Sequence, residues 1–226
     1  MISIFKRQEE KFLITLDEYV KLQKIISDQV PQDSYGKYLV QSLYFDTDKW
    51  DIIRASIEKP VFKEKLRLRC YNIPSCNSTI YLELKKKYKG IVHKRRIDFP
   101  LEMLRTRNAR EIAKNSDSQM GREMNFYLKA YPVSEKVHIS YNREAFAHES
   151  GLRITFDTNI HFRTDKLDYE NPEGGRKILP DNIVVMEIKT LGGMPMWLAR
   201  NLSEFHIYPS SFSKYGTGYK KYILDK

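Results

Sequence analysis

The stretch KEKLRLRCY, residues 63–71, places Lys65, Arg67 and Arg69 at alternate positions with apolar residues between them. Side chains of a β-strand point alternately to its two faces, so this spacing predicts that the three cations share one face. Neighbours on that face lie about 6.6–6.8 Å apart. Two poorly solvated unit charges at that separation repel by about 2.4 kcal/mol in a medium of intermediate dielectric constant. Such a face requires either solvation by water or a bound anion.

The same alternation of charged and apolar residues occurs in at least five further segments. These segments align Glu83 with Lys85 and Lys87, Lys94 with Arg96 and Asp98, Tyr141 with Arg143, Glu187 with Lys189, and Glu9 with Lys11. Charged residues are mostly exposed, which favours a solvated outer face for any one of these strands. An ordinary surface mixes its charges, however, whereas here cations gather on strands that we expect to be neighbours. The repeated pattern therefore favours an inward-facing polar lining, which is stable only with an anion or water inside.

A lining of lysine and arginine with a few carboxylates is what a substrate with several phosphate groups requires. The cations neutralise the phosphate oxygens, and arginine can bind two oxygens at once. Phosphate would be repelled by Glu9 or Glu187 unless a divalent cation joined them, so these carboxylates predict Mg²⁺ or Mn²⁺. Phosphoryl transfer demands mainly positioning and charge stabilisation, so neither a Ser-His-Asp triad nor a P-loop is needed.

The bulk composition is compatible with this chemistry but does not select a partner. The 226 residues predict one domain, and a hydrophobic content of 41% is enough for a sizeable core. The net charge of +10 favours nucleic acid, acidic lipid or a highly charged small molecule. Cys70 and Cys76 form no CxxC pair, and MISIFKRQEEKF meets charge too early for a signal peptide. We therefore expect a soluble, cytoplasmic protein without a membrane segment.

The remaining patterns predict the elements that position these residues. RQEEKFLI, residues 7–14, is typical of a strand, and the next segment predicts an amphipathic helix that Thr15 caps and Pro31 ends. DKWDIIRASI, residues 48–57, is compatible with a short helix or an irregular segment. Further strands are predicted over 37–47, 61–71, 79–88, 90–99, 136–146, 151–159 and 183–190, helices over 101–115, 118–130 and from Pro195, and a loop over 163–182. This order predicts the α+β class, with a mainly antiparallel β-barrel or tunnel of about eight strands, flanking helices and one domain over residues 1–226.

Nine segments follow one another along nearly the whole chain: RQEEKFLI, SLYFDT, KEKLRLRCY, YLELKKKY, GIVHKRR, YNREAF, LRITFDTNI, MEIKT and FSKYGTG. In this order and spacing they resemble the VTC domain, the polyphosphate polymerase module of the CYTH-like triphosphate tunnel metalloenzyme superfamily. The resemblance implies a tunnel of antiparallel strands that binds a nucleoside triphosphate and a growing polyphosphate chain.

By position, the resemblance also implies a role for individual residues. The phosphate-binding lining corresponds to Lys11, Arg67, Arg69, Lys85, Lys94, Arg143 and Lys214, with Tyr141 and Ser213 as polar neighbours. Glu187 corresponds to the metal-binding carboxylate, and Glu9 fits an opening pattern of alternating Glu and Lys, of which RQEEK holds a single Glu on that parity. Arg96 and Lys189 join the substrate-binding set because they share strand faces with these residues. Lys65 lies nearer the start of its strand and is left out of the set.

The resulting hypothesis is a metal-dependent polyphosphate polymerase that uses ATP and polyphosphate or pyrophosphate. Its catalytic cations are Arg67, Arg69, Lys85, Lys94, Arg143 and Lys214, which lower the repulsion between two reacting anions. Two alternatives stay open: a hydrolase of tripolyphosphate or another triphosphate in the same superfamily, and a non-catalytic binder of polyphosphate or nucleic acid. Nucleic acid is the less expected partner of the two. SSFSKYGTG, the segment around Lys214, is also compatible with a plain surface turn.

Overall fold

The structure, a computed structural model, describes residues 7–89 and 91–225 of the chain. Within these residues the strands are β1 (Arg7–Thr15), β2 (Gln32–Asp46), β3 (Phe62–Tyr71), β4 (Thr79–Tyr88), β5 (Ile91–Pro100), β6 (Ser134–Ala147), β7 (Arg153–Arg163), β8 (Arg176–Lys177) and β9 (Ile183–Leu191). The helices are α1 (Leu16–Gln29), α2 (Asp51–Ile57), α3 (Met103–Thr106), α4 (Ala109–Lys114), α5 (Gln119–Ala130), α6 (Met196–Glu204), α7 (Lys214–Tyr219) and a π-helix (Lys220–Leu224). The strands pair antiparallel, and the helices flank them, which confirms the predicted α+β class.

The chain divides into two compact units, each assembled from three chain segments. The first unit comprises Met1–Tyr38, Tyr141–Ile160 and Lys177–Ser213. The second unit comprises Leu39–Ser140, His161–Arg176 and Lys214–Lys226. Each unit has a hydrophobic core of its own. The single domain predicted over residues 1–226 stays a prediction.

The first unit is built on β1, β9, β7 and β6, which follow one another in this hydrogen-bonded order. Strand β9 is antiparallel to both neighbours and places Glu187 opposite Lys11 of β1 and Thr155 of β7. Helix α1 covers the apolar side of these strands, since its Leu22 and Ile26 are fully buried in the first core. Glu9, Lys11, Glu187 and Lys189 have the opposite parity and therefore lie on the other side.

Helix α1 begins where the sequence predicts it. The hydroxyl of Thr15 accepts the backbone N–H of Glu18, whose carboxylate accepts the backbone N–H of Thr15 at 2.6 Å. This reciprocal capping box satisfies two N–H groups that the first turn of a helix leaves without intrahelical partners. The helix ends at Gln29, two residues before Pro31.

In the second unit, β6, β2, β3, β4 and β5 follow one another in the sheet. Strands β3 and β4 pair Leu66 with Leu84 and Leu68 with Leu82. All four leucines are buried in a core that they share with residues of α4 and α5, among them Met124. Because neighbours on a strand point to opposite faces, the arginines of β3 lie on the face away from these helices. The apolar side chains of β3 and β4 therefore pack under helices, and the arginines lie on the other face of the sheet.

The structure corrects the predicted elements at two places and decides between two alternatives at a third. The helix predicted over 101–115 is wrong, because the chain forms two short helices there, and Asn108 caps the second by accepting the N–H of Glu111. The ambiguous segment DKWDIIRASI contains helix α2. The loop predicted over 163–182 includes the two-residue strand β8.

No helix within residues 7–89 and 91–225 is both long enough and apolar enough to cross a membrane.

Leu84→Ala should lower the free energy of unfolding by about 2–5 kcal/mol, because it leaves a cavity in a core that cannot fully collapse. Leu84 is fully buried, whereas Leu13 is 40% exposed, so Leu13→Ala is the matched control, with an expected loss of about 0.5 kcal/mol or less. Urea denaturation followed by circular dichroism measures both. An equal loss in the two variants would contradict the assignment of this core.

Candidate functional site

The second unit holds a buried carboxylate that three cations surround. Glu83 on β4 is only 1% exposed, and the strand register places Arg67 of β3 and Arg96 of β5 on either side of it. Arg67 donates from Nε and Nη2 to Glu83 Oε2 at 2.9 and 2.7 Å. Arg96 Nε donates to Oε1 at 2.8 Å, and Lys94 Nζ lies 2.6 Å from the same oxygen. We name Arg67, Glu83, Lys94 and Arg96 the Glu83 cluster.

The charges of the Glu83 cluster do not cancel. Burial raises the pKa of Glu83, but Arg67, Arg69 and Lys94 outweigh burial and hold this pKa well below its usual range. Glu83 is therefore ionised at neutral pH and offsets one cation only. Burial lowers the pKa of Lys94 to about 8, although Glu83 acts in the opposite direction. The cluster keeps an excess of positive charge that an anion can satisfy.

Strand β2 supports the arginines of β3 from the other side. The register places Ser42 opposite Arg69 and Tyr44 opposite Arg67. Arg69, which is 8% exposed, donates from Nε to Ser42 Oγ at 3.2 Å, and Arg67 Nη1 donates to Tyr44 Oη at 3.0 Å. Burial raises the pKa of Tyr44, but Arg67 and Arg69 outweigh it and bring the pKa to about 8. Hydrogen bonds on two sides thus fix the direction of the Arg67 guanidinium.

A buried carboxylate fixes the segment that carries Lys214. Tyr215, the next residue, is 2% exposed and donates its hydroxyl to Asp46 Oδ2 at 2.7 Å. Asp46 also accepts the backbone N–H groups of Ile52 and Ile53 at the start of α2. The Tyr215 ring lies 5.0 Å from the ring of Tyr44. Lys214 therefore begins a helix that is anchored through a buried tyrosine, and the alternative of a plain surface turn is wrong.

The first unit contains a second charged group, on β1 and β9. The register places Glu9 opposite Lys189 and Lys11 opposite Glu187. Lys189 Nζ lies 2.5 Å from Glu187 Oε1 and 4.0 Å from Glu9 Oε2, and Lys11 Nζ lies 3.6 Å from Glu9 Oε1. Burial raises the pKa of Glu187, but Lys189, Lys11 and Arg143 outweigh it and keep the pKa well below its usual range. We name Glu9, Lys11, Glu187 and Lys189 the Glu187 cluster.

Arg143 on β6 is bound to a carboxylate that the sequence pattern did not reveal. Its Nε and Nη2 donate to the two oxygens of Asp157 on β7 at 2.6 and 2.7 Å, and Asp157 is fully buried. The guanidinium carbon lies 5.2 Å from the centre of the Tyr141 ring. Burial lowers the pKa of Arg143, but Asp157 raises it well above its ordinary value, with a contribution from Glu187. Arg143 is therefore a fixed cation whose charge Asp157 largely offsets.

The Glu187 cluster has two carboxylates that could hold a divalent cation, with substrate phosphates completing the coordination of that cation. Glu9 and Glu187 both lie within 4.0 Å of Lys189 Nζ, so their carboxylates are close to each other. Mg²⁺ is commonly held by one or two carboxylates, waters and substrate phosphates, and Mn²⁺ takes similar oxygen ligands. Within residues 7–89 and 91–225, no three His, Cys, Asp or Glu side chains come together as a metal site. A metal here would therefore depend on the substrate for part of its coordination.

The residues predicted from the sequence fall into two groups, one in each unit. In the second unit, β3, β4 and β5 carry Arg67, Arg69, Lys85, Lys94 and Arg96, and α7 begins with Lys214. The first unit carries Glu9, Lys11, Tyr141, Arg143, Glu187, Lys189 and Ser213. Lys11 Nζ donates to the carbonyl of Phe212 at 3.4 Å, which ties β1 to the residue before Ser213. The roles of these residues stay predictions.

The sequence-based set omits the carboxylates and hydroxyls that orient its cations. Glu83 shares the face of Lys85 in YLELKKKY, and this parity was the available signal for it. Ser42 and Tyr44 alternate in SLYFDT in the same way. Asp46 continues this alternation in SLYFDT, and Asp157 alternates with Thr155 in LRITFDTNI, but alternation alone did not identify their partners Tyr215 and Arg143.

Comparison with protein-family models matches residues 6–223 to the family described as VTC domain. Comparison with curated proteins finds no match. Among solved structures, a protein named as a candidate adenylate cyclase from Bacillus halodurans is 14% identical, with 96% of this chain and 99% of that chain covered and a TM-score of 0.57. A protein of Pyrococcus horikoshii is also 14% identical, with 95% and 99% covered and a TM-score of 0.50. At these identities the two structures show a shared fold only.

Binding of tripolyphosphate should weaken by roughly tenfold as the pH rises from about 7 to about 9, since one charge-assisted hydrogen bond contributes ~1.5–3 kcal/mol. Lys94, with a pKa of about 8, loses its positive charge over this range, and Tyr44, with a pKa of about 8, gains a negative one. Lys94→Arg and Tyr44→Phe should each flatten the profile, because neither new side chain titrates there. Isothermal titration calorimetry at several pH values measures the dissociation constant. A wild-type profile no steeper than those of both variants would contradict these assignments.

Proposed function

The chain belongs to the VTC domain family, and on this premise we propose that it is a polyphosphate polymerase. Membership in the family supports an enzyme that acts on polyphosphate or on a triphosphate. The finer proposal is that the γ-phosphate of ATP is transferred to the end of a growing inorganic polyphosphate chain. Both substrates are highly charged phosphate anions, which agrees with the net charge of +10.

The observation that carries the proposal is the excess of positive charge around Glu83. Arg67, Lys94 and Arg96 converge on a single carboxylate, and Arg69 adds a further buried cation beside them. A surface that serves only solubility would mix its charges, and it would not bury arginine. Fixed guanidinium groups with several donors suit the non-bridging oxygens of a condensed phosphate.

The reaction needs little from the protein beyond positioning and charge. An oxygen of the terminal phosphate on the polyphosphate chain attacks the γ-phosphorus of ATP and forms the new P–O bond. The bond between the γ-phosphorus and the β,γ-bridging oxygen breaks, and ADP leaves with the electron pair. The attacking oxygen is already ionised, so no general base is required, and the main barrier is repulsion between two anions.

The proposal assigns the stabilisation of this charge to cations that the resemblance identified. They are Arg67, Arg69, Lys85, Lys94, Arg143 and Lys214. Lys11, Arg96, Tyr141, Lys189 and Ser213 are proposed to bind the substrates. Arg67 is oriented for this work because Glu83 and Tyr44 occupy three of its five N–H donors and fix the guanidinium plane.

Glu187 and Glu9 are the residues proposed to hold Mg²⁺ or Mn²⁺. When bound, the ion supplies positive charge to the phosphate oxygens. Lys189 and Lys11 hold the Glu187 carboxylate ionised in its absence, and the Lys189 ammonium lies 2.5 Å from Glu187 Oε1. This carboxylate is thus ready to bind a cation at neutral pH.

Purified protein incubated with ATP and Mn²⁺ should produce long polyphosphate, and Arg67→Ala should lower the rate by about 100-fold or more, as for loss of a donor to a developing anion. Arg95→Ala is the matched control, because Arg95 lies on the opposite face of β5 and pairs with Glu123 at 3.1 Å. Gel electrophoresis follows chain length, and circular dichroism checks that both variants fold.

The outcome separates the three hypotheses. Inorganic phosphate without chains would support the hydrolase in place of the polymerase. Salt-dependent binding of polyphosphate without metal-dependent turnover would support a non-catalytic binder. Equal activity of the wild-type protein and Arg67→Ala would exclude a role for the Glu83 cluster in the reaction.

Glu187→Gln should abolish the response to Mn²⁺ and lower activity by about 100-fold, because the amide cannot replace a carboxylate as an anionic ligand. Glu10→Gln, an exposed neighbour on β1 opposite Ile188, is the control with the same chemistry. Activity is measured as a function of Mn²⁺ concentration. An unchanged metal titration in Glu187→Gln would exclude this residue as a metal ligand.

A further inference from the structure

The charged face of β3, β4 and β5 continues beyond the Glu83 cluster towards the turn between β4 and β5. One step out, the register places Lys65, Lys85 and Lys94 side by side across the three strands. Two residues further along, Lys63 lies opposite Lys87. Cations thus face cations in two successive rows, which we name the lysine rungs.

Rows of like charge are unfavourable in a sheet. Side chains directly opposite each other in an antiparallel pair have Cβ atoms about 4.5–5.5 Å apart, and like charges at such positions destabilise the pairing. The opposite face of the same two strands avoids this problem. There, Glu64 lies opposite Lys86, and their charged groups are 3.2 Å apart. Residues of opposite charge are therefore paired on one face of this hairpin, whereas lysines are paired with lysines on the face of the Glu83 cluster.

This face is most buried at its inner end. Arg69 is 8% exposed, Arg67, Lys65 and Lys63 are half-buried, and Lys85 and Lys87 on β4 are exposed. Successive residues on one face of a strand are about 6.6–6.8 Å apart, so the cations from Arg69 outward extend over about 20 Å. Such a row leads from a buried site to solvent, which suits a linear polyanion better than a compact one.

The contacts of Lys63 and Lys65 are compatible with a ligand that moves along the charged face of the strands. Lys63 Nζ donates to the carbonyl of Ser56 at 3.1 Å, and Lys65 Nζ lies 5.8 Å from the centre of the Tyr215 ring. An ammonium group on a long flexible stem acts as a point charge without the fixed geometry of a guanidinium. The arginines near the Glu83 cluster are thus suited to binding with fixed geometry, and the lysines further out are suited to adaptable binding.

We propose that Lys63, Lys65 and Lys87 hold the polyphosphate chain where it leaves the Glu83 cluster, so that the chain runs outward along β3 and β4 towards the β4–β5 turn. This inference rests on the proposed function, because it names the path of that reaction's polymeric substrate. It implies that affinity depends on chain length, since a short phosphate reaches the Glu83 cluster but not the outer rung.

The test is the double variant Lys63→Gln/Lys87→Gln, which removes the outer rung and none of the residues assigned to catalysis. Lys21→Gln/Lys24→Gln is the matched control, because both lysines are exposed on α1 and the net charge falls by the same amount. Fluorescence titration gives the dissociation constants for tripolyphosphate and for long-chain polyphosphate at several salt concentrations. We expect the test variant to bind the long chain about tenfold more weakly, with the slope against salt lower by about one to two, and tripolyphosphate within about twofold of wild type.

Two results would overturn the inference. One is long-chain affinity equal to that of the control variant, and the other is an equal loss for tripolyphosphate and the long chain. Binding is measured without turnover, so the result is independent of whether ATP is polymerised. Wild-type protein that binds long chains but makes none would overturn the polymerase alone, and wild-type protein that binds neither phosphate would overturn both proposals.

Discussion

The structure of the second unit depends on how a single buried carboxylate is shared. Glu83 accepts two hydrogen bonds from Arg67 on one oxygen and charge-assisted contacts from Lys94 and Arg96 on the other. Without this carboxylate three cations on neighbouring strands would repel one another in a poorly solvated site. With it they are held in fixed directions, yet their charge is only partly offset. The ion pairs therefore orient the cations, and the remaining positive charge is left for a ligand.

The Glu187 cluster follows a different rule. Glu9, Lys11, Glu187 and Lys189 alternate in sign both along and across β1 and β9, so their charges cancel. Arg143 is offset in the same way by Asp157. The two clusters therefore differ in net charge. The Glu187 cluster is neutral by itself, whereas the Glu83 cluster keeps an excess of positive charge that an anion can offset.

The alternation of residues within each strand made the charged faces predictable. The contacts of these faces with residues far away in the sequence could not be predicted in this way. The spacing of Arg67 and Arg69 within one strand determines that they share a face, since side chains alternate by geometry alone. The contact between Asp46 and Tyr215 joins residues 169 positions apart, and no local pattern specifies it. The break between α3 and α4 was different, because Asn108 followed by Glu111 is a capping signal that the sequence contains.

The pairing register of β3 and β4 gives the two faces of these strands different arrangements of charge. On the helix-covered face of β3 and β4, Glu64 and Lys86 pair with opposite sign, and Lys86 also reaches Glu123 of α5 at 3.5 Å. On the other face, the same strands place lysine opposite lysine. The two faces are formed by alternate residues of the same two strands, so backbone geometry does not account for the difference. Natural sequences tend to break local rules at functional sites, and here the break is confined to the face that carries the arginines. A polyanion bound along this face, as proposed for the polyphosphate chain, would offset the cost of the like-charge register.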